Sequence, residues 1–226
     1  MNDSLKHAAA KRALEFVHNG MKLGLGTGTT AEAFLELLAK KVKAGVQIVG
    51  ATTSERTEAK ARALGIPVAE LDRLAPLDLD IDGADEADRD FNLIKGGGGA
   101  LLREKIVASS SRQMIVIMDG SKLVDRLGRF PLPVEVTCFG HMTTARRIRN
   151  AVASLGYENV PVNQREGFVT DSGNVIYDCS LGAIRDPRLL ALALGVIPGV
   201  VDHGLFLNLA STLVIARTDG VEVINK

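Results

Sequence analysis

The sequence predicts an α/β protein: a mainly parallel sheet covered by helices, with a smaller α+β domain inserted into it. Three observations predict this. Short apolar runs alternate with amphipathic stretches over residues 1–130, glycine-rich turns fall where the runs end, and after Phe130-Pro131-Leu132-Pro133 the rhythm changes to β-α-β-β-α-β.

The elements follow in order. Leu5, Ala8, Ala9, Ala13, Phe16 and Val17 recur at helical spacing behind the capping candidates Asp3 and Ser4, and Asn19-Gly20 closes that opening helix. Apolar runs at 21–25, 46–51, 66–71, 77–81 and 114–118 read as strands, separated by helix-like stretches at 31–42, 55–64 and 100–109. Such a Rossmann-like alternation gathers ligands at the carboxyl ends of its strands. The second rhythm comprises a strand at 134–139, a helix at 143–155, strands at 167–170 and 175–179, a helix at 187–194 and an extended piece near Val200. That is the ferredoxin-like order, so the inserted domain is placed at residues 131–203 and the larger α/β domain at 1–130 plus 204–226. The tail, 210–224, carries two strand candidates around Thr218-Asp219-Gly220 that can return to the first sheet.

Composition narrows the function classes. A chain of 226 residues, 46% hydrophobic and 24% charged, can bury a core and is not disordered. Lysine plus arginine (27) balances aspartate plus glutamate (27), so no net basic field exists for nucleic acid or an anionic membrane surface. With 4% aromatics and no tryptophan, a stacking platform for single strands is disfavoured. No run reaches the roughly 20 apolar residues of a membrane span, and charges occupy the opening stretch where a signal peptide would be apolar. A cytoplasmic protein is expected. Cys138 and Cys179 are too few for a disulfide framework and have no zinc-spaced partner, so reduced structural thiols are expected. His7, His18, His141 and His203 have no metal-ligand spacing. A small ligand becomes the leading partner.

Four elements carry candidate chemistry. In Gly24-Leu25-Gly26-Thr27-Gly28-Thr29-Thr30, a strand turns into a helix whose unpaired amides and dipole suit a phosphate. The segment lacks the third glycine of a dinucleotide fingerprint and the G-K-[ST] of a nucleotide P-loop, and a plain threonine-capped turn is the structural alternative. The second element, 77–86, opens like a calcium loop, but Arg89 stands where the bidentate glutamate belongs, which excludes calcium. A solvated acidic turn accounts for Asp78, Glu86 and Asp88, whereas Asp82 and Asp85 fall at a strand end, where a ligand crevice lies. Third, Lys95-Gly96-Gly97-Gly98-Gly99 leads directly into a helix bearing Glu104. Four glycines are entropically costly, so backbone there comes close to something and offers amide donors for an oxyanion. Fourth, Asp119-Gly120-Ser121-Lys122 follows another strand, and Lys122 taken alone reads as a surface lysine.

These stretches resemble the type A ribose-5-phosphate isomerases. The resemblance rests on the GTGTT loop at 26–30, Thr52-Thr53-Ser54, Asp82-Gly83-Ala84-Asp85, Lys95-Gly96-Gly97-Gly98-Gly99-Ala100 with Glu104-Lys105, Ser121-Lys122 before Leu127-Gly128, and Pro198-Gly199-Val200-Val201 with Gly204-Leu205-Phe206. It implies an aldose-ketose isomerase of the pentose phosphate pathway that interconverts D-ribose 5-phosphate and D-ribulose 5-phosphate. No metal or cofactor is implied, and the family assembles as a homodimer or higher homo-oligomer. By resemblance Glu104 is the proton-transferring base. Thr27, Gly28, Thr29, Thr30, Asp82, Gly83, Ala84, Asp85, Lys95, Gly96, Gly97, Gly98 and Lys122 form the substrate-binding set, with Lys6 as a further candidate near the phosphate. The family's phosphate loop often has serine where Thr29 stands.

Such exchange moves a proton between adjacent carbons through an enediol, which one base on one face of the sugar achieves. Gly96 to Gly99 amides with Lys95 or Lys122 would receive charge growing on the carbonyl oxygen, and Asp82 or Asp85 would assist ring opening. Two other classes stay open on the sequence. A non-catalytic sugar-phosphate sensor would keep the threonine loop without needing Glu104 and Lys95. A CoA transferase-like enzyme on a related scaffold also uses a glutamate, but needs room for a long nucleotide.

Overall fold

The computed structural model describes residues 3–226, and the chain divides into two compact units. The first comprises Met1–Ala84, Arg103–Leu123 and Asn208–Lys226; the second comprises Asp85–Leu102 and Val124–Leu207.

The first unit is built on a six-stranded sheet. Its strands are β1 (Lys22–Leu25), β2 (Val49–Thr52), β3 (Leu79–Gly83), β6 (Met114–Asp119), β12 (Thr212–Arg217) and β13 (Gly220–Asn225). They lie in the order β13-β12-β6-β3-β1-β2. All neighbours are parallel except β12 and β13, a hairpin closed at Arg217↔Gly220. β6 is an unbroken apolar run with every residue buried, as a strand covered on both faces is, whereas β3 alternates Leu79 and Ile81 with Asp80 and Asp82 and β13 lies at the exposed edge. The helices are α1 (Asp3–Ala13), α2 (Thr29–Lys43), α3 (Glu55–Ala63), the single turn α4 (Leu71–Leu74) and α5 (Leu101–Ser109). Ala9, Ala10 and Ala13 give α1 a fully buried small-residue face, which joins Phe34, Leu35 and Leu38 of α2 and Leu23, Leu25, Ile81 and Ile117 of the sheet in one core. Each large aliphatic or aromatic side chain of this kind contributes roughly 1.5–3 kcal/mol by leaving water. Ser54 caps α3, its Oγ accepting from the Thr57 amide at 3.1 Å.

Strand order is what positions a site here. From β1 the chain continues to β2 on one side, while β3 flanks β1 on the other. The carboxyl ends of β1 and β3 therefore form a topological switch point, the place where open α/β sheets hold ligands.

The second unit contains the ferredoxin-like element expected from the sequence. Strands β7 (Leu132–Val136), β8 (Val162–Gln164), β9 (Val175–Cys179) and β10 (Val200–His203) form an antiparallel sheet in the order β10-β7-β9-β8. Helices α6 (His141–Ser154) and α7 (Pro187–Gly195) bury Ile148, Val152, Leu190 and Leu194 in the core shared with Val134, Val136 and Tyr177. Asp186 caps α7 by accepting from the Arg188 and Leu189 amides, with Pro187 in the first turn. A second small antiparallel sheet, β11-β5-β4, joins Leu205–Phe206, Leu93–Ile94 and Glu86–Ala87.

Four sequence expectations are corrected. Residues 66–71 form no strand: one parallel bridge, Gly50↔Val68, is all that pairs, because Pro67 has no amide to donate and the chain turns into α4 at Leu71. The strand placed at 167–170 lies instead at Val162–Gln164. Gly167 has φ +66 and Thr170 opens a turn in which its amide donates to Asn174 O. Asp3 and Ser4 sit inside the first turn of α1 rather than before it. Glu86 and Asp88 are not a solvated turn. Glu86 is 1% exposed and accepts 2.7 Å bonds from the Gly128 and Phe130 amides. Asp88 is also buried and accepts from the Asp90 and Asn92 amides.

The two cysteines differ. Cys138 is exposed, so it is no structural thiol, whereas Cys179 is buried in β9. Burial pushes the Cys179 thiol up to about 12, with the Asp178 carboxylate adding to the shift. The neutral thiol is thus favoured in the folded chain, and its contribution to stability, complete below the ordinary value of 9.0, is lost as pH rises toward 12. A thiol-specific reagent at pH 8 will modify Cys138 alone in the native protein and both thiols after denaturation. Fast native labelling of Cys179 would contradict its burial.

Candidate functional site

At the end of β1 the chain must pass extremely close to β3. A Cβ placed on Gly26 would fall 2.2 Å from Asp82 Oδ1 and 2.6 Å from Asp82 Cα. Only glycine admits that approach. What the approach achieves is a set of amide donors for one carboxylate: the Thr27 and Gly83 amides donate to Asp82 Oδ1 at 3.1 and 2.7 Å, with Asp82 fully buried. Amide bonds of this kind orient a carboxylate. One residue pair earlier the same closeness recurs, since a Cβ on Gly24 would lie 2.5 Å from Oδ1 of Asp80, another fully buried carboxyl. In the sequence Asp80 carries no mark of its burial, because its alternation with leucine and isoleucine does not say which face is covered.

Immediately after, Gly28 adopts φ +106 and caps α2, so the first amides of that helix are presented beside the switch point. Thr29 is exposed and Thr30 is buried at 5%. The Thr27 hydroxyl turns inward and joins those of Thr53, Ser54 and Thr57 at 2.7, 2.8 and 3.1 Å. The Thr57 hydroxyl donates in turn to Gly26 O at 3.1 Å. Thr53 and Ser54, part of the Thr52-Thr53-Ser54 motif, thus brace the loop from below. The groups the loop leaves for an anion are its helix-terminal amides and positive dipole end.

Glu104 reaches the same end of the sheet by a helix. Helix α5 finishes where the sheet begins, with the Leu77 amide donating to Ser110 O. Its N-terminal turn therefore lies toward the carboxyl ends of the strands. Val107 of α5 packs on Gly24 of β1, and Glu104, one turn earlier on the same helix face, is about 4.5 Å nearer those strand ends. Its side chain is buried, 5% exposed. Lys122 follows β6, in a 3₁₀ turn capped by Asp119. Its ammonium donates to Ala84 O at 2.6 Å and so anchors the segment that follows Asp82 and Gly83. Lys6, on α1, pairs with Asp3 at 3.1 Å.

The remaining sequence candidates belong to the second unit. Asp85 is half-buried and accepts from the Gly97 amide at 2.7 Å. Lys95 is 2% exposed, its ammonium 5.5 Å from the centre of the Phe206 ring and its amide bonded to Gly204 O. Gly96 and Gly99 have φ +101 and +82, and the Gly99 amide closes a turn onto Gly96 O. Gly97 and Gly98 are exposed. The glycine run is thus an ordered turn, not a linker. Its principal support, Arg165, lies 68 residues beyond Gly97 and carries no signal in the sequence. Among the described residues no group of three or more His, Cys, Asp or Glu side chains is placed to hold a metal ion, and no helix is long and apolar enough to cross a membrane.

A switch point that gathers a helix N-terminus, an amide-held carboxylate and a buried glutamate on the covering helix defines a class: open α/β proteins with a small-ligand site at the carboxyl ends of their strands. The chain belongs to the ribose 5-phosphate isomerase A (phosphoriboisomerase A) family, whose model matches residues 49–220. It is 54% identical over 228 residues to a ribose-5-phosphate isomerase A of Rhodopseudomonas palustris strain TIE-1, covering 99% of this chain and 98% of that protein. It is likewise 54% identical over 226 residues to that of Parvibaculum lavamentivorans, with 98% of each covered. Among solved structures, ribose 5-phosphate isomerase from Plasmodium falciparum superposes with a TM-score of 0.93 at 39% identity, covering 100% of this chain and 99% of that one. A D-ribose-5-phosphate isomerase solved in complex with phospho-erythronic acid gives 0.91 at 36%, with both chains covered completely. The family and the α/β architecture expected from the sequence are therefore established, and with them the isomerase class.

Proposed function

We propose that this chain interconverts D-ribose 5-phosphate and D-ribulose 5-phosphate with Glu104 as the base that carries the proton between carbons 1 and 2. The observation that supports the assignment is a buried carboxyl in the first turn of α5, at the sheet end where the amides of α2 stand open to a phosphate. The phosphate seats on the loop Thr27-Gly28-Thr29-Thr30, and its binding energy holds the reacting carbons in register with the carboxylate. The proton leaves one carbon, charge develops on the carbonyl oxygen as the enediolate forms, and the same carboxyl returns the proton to the neighbouring carbon.

Lys95 and the Gly98 amide are assigned to that developing charge, with Gly96 and Gly97 shaping the turn and the Gly97 amide holding Asp85, and Asp82 or Asp85 is assigned to the proton exchange between ring oxygen and anomeric hydroxyl that opens the sugar. Gly83, Ala84 and Lys122 complete the binding set. We read the working form as a cytoplasmic homodimer or higher homo-oligomer. The test is isomerisation of ribose 5-phosphate in excess chelator, with ribose as control. Turnover will persist with the chelator and collapse without the phosphate. Equal turnover of ribose, or loss of activity to the chelator, would contradict the assignment.

A further inference from the structure

The glycine turn is held by a side chain outside every stretch that the family motifs contain. Arg165 follows β8, its own amide bonded to Ile176 O of β9 at 2.8 Å. Its guanidinium forks onto Asp178, with Nε to Oδ2 at 3.0 Å and Nη2 to Oδ1 at 2.7 Å. The remaining nitrogen, Nη1, donates to both Gly96 O and Gly97 O, at 3.1 and 3.2 Å. Phe168 stacks on the guanidinium at 5.5 Å. The same ring lies 2.0 Å from where a Cβ on Gly99 would stand, so it closes over the turn.

A peptide unit is planar and trans, so fixing its carbonyl fixes its amide in the opposite direction. Holding Gly96 O therefore aims the Gly97 amide, which meets Asp85 Oδ2 at 2.7 Å, and holding Gly97 O aims the Gly98 amide. A continuous polar chain runs from Asp178 through Arg165 and two peptide planes to the carboxylate of Asp85. Without it, consecutive glycines would sample many backbone states, which they do more freely than any other residue.

We propose that Arg165 is a positioning residue: clamped by Asp178, it sets the direction of the Gly98 amide and the orientation of the Asp85 carboxylate. This rests on the reading that the glycine turn and Asp85 meet the sugar. Lysine cannot replace the arginine, since a single ammonium cannot fork a carboxylate and reach two carbonyls at once.

The test compares Arg165→Ala, Arg165→Lys and Asp178→Asn with the parent enzyme in ribose 5-phosphate kinetics, alongside competitive inhibition by inorganic phosphate. Displacing donors at this distance lowers kcat/KM by about 10- to 100-fold in both arginine variants. Inhibition by inorganic phosphate stays unchanged, because the phosphate loop is built on other elements. Methylguanidinium added to Arg165→Ala restores part of the rate and leaves the parent unaffected, a response that a merely structural arginine would not give. Asp178→Asn falls between the parent and the arginine variants. Should Arg165→Ala fail to fold, Arg165→Lys decides the matter by the same readouts. A folded arginine variant with parental kcat/KM overturns the proposal, as does a loss shared equally by phosphate inhibition and insensitive to methylguanidinium. A parent enzyme inactive on ribose 5-phosphate would instead overturn the functional reading on which the proposal stands.

Discussion

Replacing Glu104 by glutamine will lower kcat by about 10²–10⁴-fold while leaving KM for ribose 5-phosphate close to its parental value. Glutamine keeps the size and the helical preference of glutamate, so α5 and its contact through Val107 persist; what disappears is an oxygen able to take and return a proton. The loss corresponds to about 3–5 kcal/mol of barrier, within the range of one positioned acid-base group. A drop confined to kcat marks an interaction made only as the proton moves. Solvent deuterium supplies an independent readout. In deuterated water the parent enzyme will place label at carbon 2 of recovered aldose, because a carboxyl holding the transferred proton exchanges it with solvent, and Glu104→Gln will not. Glu104→Asp retains the chemistry on a side chain shorter by one methylene and will fall between the two. Parental turnover in Glu104→Gln would remove the residue from the role.

Legibility in the sequence followed the range of the interaction. The strand-to-helix turn at 24–30, to which we assign the phosphate, was readable because everything that builds it is local: a strand end, glycines and a helix start within seven consecutive residues. Asp82 and Asp85 were readable as residues at the end of an alternating strand, and the ferredoxin-like unit from the order of its periods. Partners separated by long stretches of chain were not. Glu86 looked solvent-facing because its amide partners, Gly128 and Phe130, lie more than 40 residues away. Arg165 gave no signal, since its two glycine acceptors are 69 and 68 residues distant and its carboxylate partner is met only through the pairing of β8 with β9. The strands of two residues, Glu86–Ala87, Leu93–Ile94 and Leu205–Phe206, are too short to show a period. The misplaced strand at 167–170 has a local cause: alternation in Gly167, Phe168, Val169 and Thr170 mimics a strand, while the left-handed Gly167 breaks it.

Alanine at Gly26 will cost both fold stability and activity. The alanine methyl would stand 2.2 Å from Asp82 Oδ1, 2.3 Å from its Cγ and 2.6 Å from its Cα. A carboxylate can rotate away, but the Cα belongs to the backbone of β3, so β1 and β3 must separate at the point where the Gly26 amide donates to Ile81 O at 3.1 Å. Overpacking of a tight core costs about 1–3 kcal/mol. For a chain of this size that lowers the midpoint of thermal unfolding by roughly 2–12 °C. Activity will fall further than stability, because the displaced Asp82 also loses the Thr27 and Gly83 amides that orient it and the phosphate loop moves with Thr27. At Gly24 the obstructing atoms are all in side chains, the nearest being Asp80 Oδ1 at 2.5 Å and Val107 Cγ1 at 2.7 Å. At Gly83 a methyl would meet only Ile117 O, at 3.8 Å, which is ordinary contact, so Gly83→Ala will keep the parental melting temperature. Calorimetry on the three variants will rank them Gly26→Ala lowest, Gly24→Ala next and Gly83→Ala level with the parent. A Gly26→Ala protein that melts with the parent would mean that the two strands do not meet as closely as the buried Asp82 requires.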